Sequence, residues 1–174
     1  VIVPEQATFE TERLLSEALS GGLFGVTVTS WSGLARRMLD IMGDRRAFLS
    51  TQGRVMLMRR AVDGCEKDLS VFRRSAAYRG FPAEADDLIK RFKRCGMSAE
   101  DVKEAAEKLE EGLPLRDKLL DISLIYAELE RRCADRYIDS EDMMNELLSR
   151  MGESALVGAH VFIDGGSSVT EQSY

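Results

Sequence analysis

Val1-Ile2-Val3-Pro4-Glu5-Gln6 opens the chain, and Val161-Phe162-Ile163-Asp164 stands near its close. Each is a short apolar, β-type run that stops at polar residues. A fully buried central strand of a parallel α/β sheet reads this way. Pro4 has no N–H to donate, so pairing is expected to stop there. Between the two runs lies mostly amphipathic helix, with one further strand candidate. So few strands cannot bury both faces of a sheet. Both ends are therefore expected to be cut edges inside a larger α/β protein, which would own the function.

Working inward from the first run, Thr8 to Leu19 is predicted to be a helix with Phe9, Leu14, Leu15 and Ala18 inward, closed by Gly21-Gly22. Phe24 to Thr29 carries β-branched residues at Val26, Thr27, Val28 and Thr29 and is predicted to be a second strand. Ser30 or Ser32 can cap a following helix that runs to Met42 and stops at Gly43. Strand, helix, strand, helix in quick succession marks a parallel α/β unit.

From Ser50 to Met151 only helical patterns occur. Ser50 can cap a helix to Cys65 with Val55, Met58, Val62 and Cys65 on one face. Pro82 suits the start of a helix ending at Gly96. Ser98 to Asp101 resembles a capping box, with Asp in the place of Glu. Leu115, Leu119, Ile122, Tyr126, Leu129 and Cys133 form one apolar stripe facing a helix bundle. Asp139 or Ser140 caps a last helix to Met151, and Leu156 to Ile163 returns to strand character. The expected organisation is a partial α/β domain over 1–48, an inserted helical domain over 49–153, and a return to the α/β domain over 154–174.

The chain has 174 residues, a hydrophobic fraction of 44% and a net charge of -6. That size fits one domain, or a small domain with an insertion. The acidic balance argues against a tight non-specific grip on nucleic acid, though it leaves room for a local basic groove. No apolar run reaches the length a membrane span needs, and no secretory leader pattern is present. Cys65, Cys95 and Cys133 are widely spaced, and His160 is the single histidine. This excludes an ordinary zinc site, so no metal ligands are expected and the thiols read as reduced groups of a cytoplasmic protein.

Two constellations could carry chemistry. Val161-Phe162-Ile163-Asp164 has the shape of a Walker B strand, where the Asp at the strand's carboxyl end holds the Mg²⁺ of a bound nucleotide. Gly165 follows, where a hydrolytic motor carries Glu, so efficient hydrolysis is not expected. No Gly-x-x-x-x-Gly-Lys-Ser/Thr occurs, so any phosphate loop would lie upstream. The second constellation joins Gln6 and Thr8 to Ser30, Trp31, Ser32, Arg36 and Arg37, just past the carboxyl ends of two strands. The hydroxyls and amide could donate to phosphate oxygens, Trp31 could stack on an unpaired base, and the arginines could add positive charge. Helix caps, a buried Trp and solvated arginines would account for the same residues. The acids from Glu104 to Glu111 read as a solvated helix face. Met56, Met58, Met143 and Met144 read as core filler. Asp139, Glu141 and Asp142 read as helix-start acids.

Three segments, Val3 to Phe9, Ser30 to Arg37 and Phe162 to Gly165, resemble in order and spacing the AddB family, which supplies one of the two chains of bacterial AddAB helicase–exonucleases. Lys118 to Ile122 and Tyr137 to Asp142 resemble that family's inserted helical region, so the resemblance covers essentially the whole chain. It implies a partial P-loop, superfamily 1 helicase-like parallel sheet with a large all-helical insertion and little motor activity of its own. Gln6, Thr8, Trp31 and Arg36 match positions that contact the DNA strand, and Asp164 matches the Walker B-like position. The implied role is to bind and guide single-stranded DNA during double-strand break repair, with recognition of a hotspot sequence. The implied partner is an AddA-like helicase–nuclease subunit in a heterodimer. No catalytic residue is expected in this chain and no cofactor within it. ATP with Mg²⁺ and an iron–sulfur cluster would belong to the parent outside it. An active DNA-dependent ATPase motor and a helical scaffold for a partner are the alternatives.

Overall fold

The computed structural model describes residues 1–19, 22–150, 152, 156 and 158–164. The helices are α1 (Thr8–Ala18), α2 (Trp31–Ile41), α3 (Thr51–Cys65), α4 (Phe81–Arg94), α5 (Ala99–Glu107), α6 (Pro114–Cys133) and α7 (Ser140–Ser149). The strands are β1 (Ala47–Phe48) and β2 (Tyr137–Ile138). The chain is thus mostly helical with a small parallel sheet, consistent with an α/β fold carrying a helical insertion. It divides into two compact units: Val1–Arg45 with Met143–Tyr174, and Arg46–Asp142.

In the first unit Ile2 forms parallel bridges to Thr29 on one side and Ile163 on the other. The main chain makes this ladder. Val3 N donates to Thr29 O at 2.9 Å, Thr29 N to Val1 O at 3.0 Å, Ile2 N to Phe162 O at 2.7 Å, and Asp164 N to Ile2 O at 2.9 Å. Ile2 and Val3 are buried, as expected of a central strand. The predicted strand Phe24 to Thr29 is corrected to pairing at Thr29 alone. Gly25 sits at φ +73°, which breaks the extended run, and Phe24 is 93% exposed. Of Leu156 to Ile163, only Ile163 pairs among the described residues, and Gly158 at φ +84° lies in a turn.

Local capping follows the sequence closely. Ser30 Oγ accepts from Gly33 N at 3.2 Å and starts α2. Its end is a Schellman motif, with Gly43 N donating to Asp40 O and Asp44 N to Leu39 O, and Gly43 at φ +82°. Ser50 Oγ caps α3 by accepting from Gly53 N at 3.1 Å. The Ser98–Asp101 capping box forms in full. Asp139 Oδ1 accepts from Asp142 N at 2.8 Å, so Asp139 rather than Ser140 caps α7. The expected α1 interior does not form: among the described residues none of Phe9, Leu14, Leu15 and Ala18 is buried. Gly21 and Met151 lie outside the described residues.

In the second unit α6 is the central helix, packed against α3, α4 and α5. Ile122, Ile125, Tyr126, Leu129 and Cys133 meet Met58, Ala61 and Val62 of α3, Ile89 of α4 and Val102 of α5 in one core. The stripe is shorter than the spacing predicts. Leu115 and Val55 are each more than half exposed: Leu115 sits on the first turn of α6, and Val55 lies off the inward face of α3, which is set by Arg54, Met58, Ala61, Val62 and Cys65. In the parallel pair β1–β2, Ala47 stands opposite Tyr137 and Phe48 opposite Ile138, and β2 interrupts a region expected to be all helix. Two-residue strands are too short to show a period of two.

The least expected feature is a buried ionic cluster. Arg54, on the inner face of α3, is 5% exposed. Its Nε donates to Asp86 Oδ1 at 2.6 Å and its Nη1 to Asp139 Oδ2. Lys93 Nζ donates to Asp139 Oδ2 at 2.8 Å and to Asp142 Oδ1 at 2.6 Å. Burial alone would push the Asp139 carboxyl up, but Lys93 and Arg54 override it and hold it at about 2. Burial, opposed by Lys93 and aided by the Asp139 charge, pushes Asp142 up instead. Removing one member leaves buried charge of the other sign uncompensated, which costs about 3–5 kcal/mol. Asp139→Asn is therefore expected to lose about that much at neutral pH, read as a fall in urea midpoint. Because the folded Asp139 pKa is depressed, its stabilisation is full above the ordinary carboxylate range and drains away as pH falls towards 2. Asp139→Asn should lose that part of the acid slope between pH 5 and 2. An unchanged midpoint at neutral pH would mean that Asp139 does not hold the helices together.

Candidate nucleic-acid interface

The three paired segments of the first unit are parallel, so the residues that follow them leave the ladder at one edge. Pro4 to Thr8 follow Val3, Ser30 to Gly33 follow Thr29, and Asp164 follows Ile163. Neighbouring strands stand about 4.8 Å apart, so the three exits share an edge about 10 Å wide. Ligands of open α/β sheets sit at the carboxyl ends of the strands. Gln6, Thr8, Trp31 and Asp164, chosen from scattered positions in the sequence, leave the ladder at this edge.

Local bonding sets what each side chain offers. Pro4 O accepts from Ala7 N at 2.8 Å, which folds Glu5–Ala7 into a 3₁₀ turn. Gln6 projects from that turn and is exposed. The Thr8 hydroxyl donates to Glu5 O at 2.9 Å, so its proton is already committed while its lone pairs are open. Ser30 and Ser32 share a hydroxyl bond at 3.0 Å. Trp31 is the first residue of α2 and half-buried. It stands at the amino end of the stripe formed by Leu34, Ala35 and Met38, which are buried. Trp31 is therefore neither fully buried nor fully exposed. The N–H groups of Trp31 and Ser32 have no acceptor within the helix, as in any first turn, and give the edge positive character.

Arg36 and Arg37 are exposed on α2. Arg36 lies about 140° around the helix from Trp31 and about 7.5 Å along it. The helix therefore does not set it beside the indole. Its charge reaches the edge as a field, not as a wall of the same pocket.

Asp164 is exposed at the end of its segment, with its backbone N–H tied to Ile2 O. A Mg²⁺–nucleotide needs one or two protein carboxylates, with phosphates and water supplying the other ligands. Asp164 fits that limited role. Among the described residues no group of three or more His, Cys, Asp or Glu side chains gathers to hold a metal ion unaided. Cys65 and Cys133 are buried, and burial pushes both thiols up, so they are poor ligands and poor nucleophiles.

A cavity of about 280 Å³ also lies in this unit, lined by Val1, Thr27, His160 and Val161 with Leu34 and Met38 of α2. The paired residues Ile2 and Thr29 and the α2 residue Arg37 line it as well.

Sequence reasoning missed how tightly Gly33 is held. A Cβ there would stand 2.6 Å from Thr29 Oγ1 and 3.3 Å from Ser30 Oγ. Thr29 is β-branched and stiff, and it is itself a pairing residue of the ladder. Gly33 is thus what allows α2 to begin this close to the ladder. Gly33→Ala is expected to cost about 1–3 kcal/mol by overpacking. Thr29→Ala in the same chain should return most of that loss, because it removes the clashing oxygen and leaves the backbone pairing intact. A double-mutant cycle in thermal unfolding checks this; full additivity of the two losses would show that they do not touch.

A family model described as ADDB, N-terminal, matches residues 1–174. The B-type subunit of the ATP-dependent helicase/deoxyribonuclease of Desulforamulus reducens is 34% identical over 179 residues, covering 100% of this chain and 16% of that protein. The protein of the same description from Acetivibrio thermocellus is 32% identical over 177 residues, covering 100% and 15%. The one from Bacillus subtilis is 31% identical over 181 residues, covering 99% and 16%. The chain therefore spans about 16% of the length of the curated relatives it matches. No helix among the described residues is long and apolar enough to cross a membrane.

Proposed function

The chain belongs to the AddB N-terminal family, and from that premise we propose that its first unit holds and guides single-stranded DNA within a helicase–nuclease subunit that repairs double-strand breaks. One observation carries the reading: three parallel segments release Gln6 and Thr8, Ser30 to Ser32, and Asp164 at a common carboxyl edge. Trp31 is the stacking platform, being a half-buried aromatic residue at the start of α2 on this edge. Gln6 supplies amide donors and acceptors to a base or a phosphate. Ser30 and Ser32 keep one hydroxyl proton between them for a phosphate oxygen, and the first N–H groups of α2 face the same charge. Arg36 and Arg37 offset the acidic balance of the chain locally. Short hotspot sequences would be read at this edge by the same side chains.

In this proposal the ladder is part of a P-loop, superfamily 1 helicase-like sheet. The relatives are each named as one subunit of an ATP-dependent helicase/deoxyribonuclease, and the partner proposed here is an AddA-like helicase–nuclease subunit in a soluble, cytoplasmic complex. The chain itself performs no catalysis.

Asp164 supports a second reading, in which this edge also serves a nucleotide. Asp164 would hold Mg²⁺, which shields the charge of the nucleotide's phosphates. With Gly165 in the next position, no carboxylate follows to polarise an attacking water. DNA-stimulated ATP hydrolysis by the full-length subunit that is lost in Asp164→Asn would establish that reading.

The strand-guiding role is tested by binding of the full-length subunit, with its partner, to labelled single-stranded DNA across a salt series. Trp31→Ala is expected to weaken binding by about tenfold, the equivalent of about 1.4 kcal/mol of stacking. Unchanged binding by a folded Trp31→Ala protein would remove Trp31 from the interface and leave the helical-scaffold reading.

A further inference from the structure

The loop between α3 and α4, in the second unit, is held from within to an unusual degree. Asp121 of α6 is 2% exposed. Its carboxylate accepts from Ser70 N, Val71 N and Phe72 N, each at 2.8 Å, and from Ser70 Oγ at 3.0 Å. Arg59 Nη1 donates to Ala76 O at 3.3 Å, and Ala76 is buried. Arg73 folds back on the loop, with Nε donating to Leu69 O at 3.1 Å. Phe72 and Phe81 bracket the segment with ring centroids 5.2 Å apart. Tyr78 N donates to Ser75 O, and Phe81 N to Tyr78 O. The backbone around Tyr78 is therefore fixed on both sides.

What this rigid loop presents outward is out of keeping with a merely solvated turn. The Tyr78 side chain is 70% exposed, a large aromatic face left in water. Arg74 and Arg79 flank it and are both exposed. Among the described residues neither has an acidic partner, whereas Arg59 is paired with Asp63 at 3.0 Å. From Ser70 to Gly80 the loop has three arginines and no acid, in a chain of net charge -6.

An exposed aromatic ring with an arginine on either side of it in the loop sequence matches the repeat of a single nucleic-acid strand, in which a flat base alternates with a phosphate. We infer that the Ser70–Gly80 loop is a second docking surface for single-stranded nucleic acid, with Tyr78 stacking a base and Arg74 and Arg79 holding the neighbouring phosphates. An acidic peptide would satisfy the arginines but leave the ring without its flat partner. Because the loop is already ordered, binding carries little of the ordering cost that a mobile loop would add. This surface is made by the second unit alone and does not rest on the reading of the Trp31 edge.

The test is fluorescence anisotropy of fluorescein-labelled oligothymidylate with the full-length protein. Tyr78→Ala should weaken binding by about fivefold or more, and Tyr78→Phe, which keeps the ring, should bind like the wild type. Arg74→Gln with Arg79→Gln should weaken binding and reduce the salt slope by about 1.4, at about 0.7 for each lost phosphate contact. In a Trp31→Ala background Tyr78→Ala should cause the same further loss, so failure at Trp31 and failure at Tyr78 are read separately. Unchanged binding by Tyr78→Ala would overturn the proposal, as would Tyr78→Phe binding as weakly as Tyr78→Ala. So would polyglutamate displacing the oligonucleotide as well as unlabelled oligothymidylate does, which would reassign the loop to an acidic protein segment.

Discussion

The backbone of Val1 to Val3 is hydrogen-bonded along both of its edges: Val1 O and Val3 N pair with Thr29 on one side, and Ile2 pairs with Phe162 and Asp164 on the other. Residues from three distant parts of the sequence are brought together by this one segment's pairing. Parallel pairing has a consequence that antiparallel pairing lacks: all three chains exit in the same direction. Pro4 then ends the central segment, since it has no N–H to extend the ladder. Ser30 turns its neighbour into a helix, and Asp164 ends the third. The candidate interface is what these three exits have in common. It needs no catalytic group to exist, only a ladder that ends in register.

The second unit rests on different physics. Its apolar core is arranged around α6, but two carboxylates achieve what apolar packing cannot. Asp121 gathers the N–H groups of Ser70, Val71 and Phe72, which lie outside any helix or strand. Asp139 neutralises Arg54 and Lys93 at once while capping α7. Such groups are costly to bury unless every partner is in place, so they fix one arrangement of helices more sharply than leucines would. Among the described residues two buried side-chain nitrogens have no hydrogen-bond partner, Arg54 Nη2 and Arg116 Nε.

Legibility in the sequence followed the range of each interaction. Ser30, Ser50, Ser98 and Asp139 act on residues within one turn, so the caps at Ser50 and Ser98 could be read directly and those at Ser30 and Asp139 narrowed to two neighbouring residues each, and Gly43 and Gly96 likewise marked helix ends. The apolar runs at Val1 to Val3 and Val161 to Ile163 both pointed to buried central strands, but only the first is one: Ile2 and Val3 are buried, whereas Val161, Phe162 and Ile163 are each half or more exposed, and among the described residues Ile163 pairs on one side alone. The burial of Arg54 could not be read, since its partner Asp139 lies 85 residues away. The pairing of β1 with β2 was equally hidden, because two residues carry no period. The strand proposed over Phe24 to Thr29 shows the opposite failure: β-branched residues fit a strand, but Gly25 takes a left-handed conformation that ends it. At the interface, the sequence pointed to Gln6, Thr8, Trp31 and Asp164 through their place after strands. It did not show that the Thr8 proton is already bonded, or that Gly33 is needed to let α2 start against Thr29.

The central claim is that a nucleic-acid strand lies across the carboxyl edge of the Ile2 ladder. The most direct measurement is photo-cross-linking of a single-stranded oligonucleotide carrying 5-iododeoxyuridine to the full-length protein, with the adducts mapped by mass spectrometry. The account predicts adducts on Trp31 or on the Gln6 to Thr8 turn. Efficient cross-linking elsewhere in the protein, with no adduct on residues 4–8 or 30–37, would contradict it.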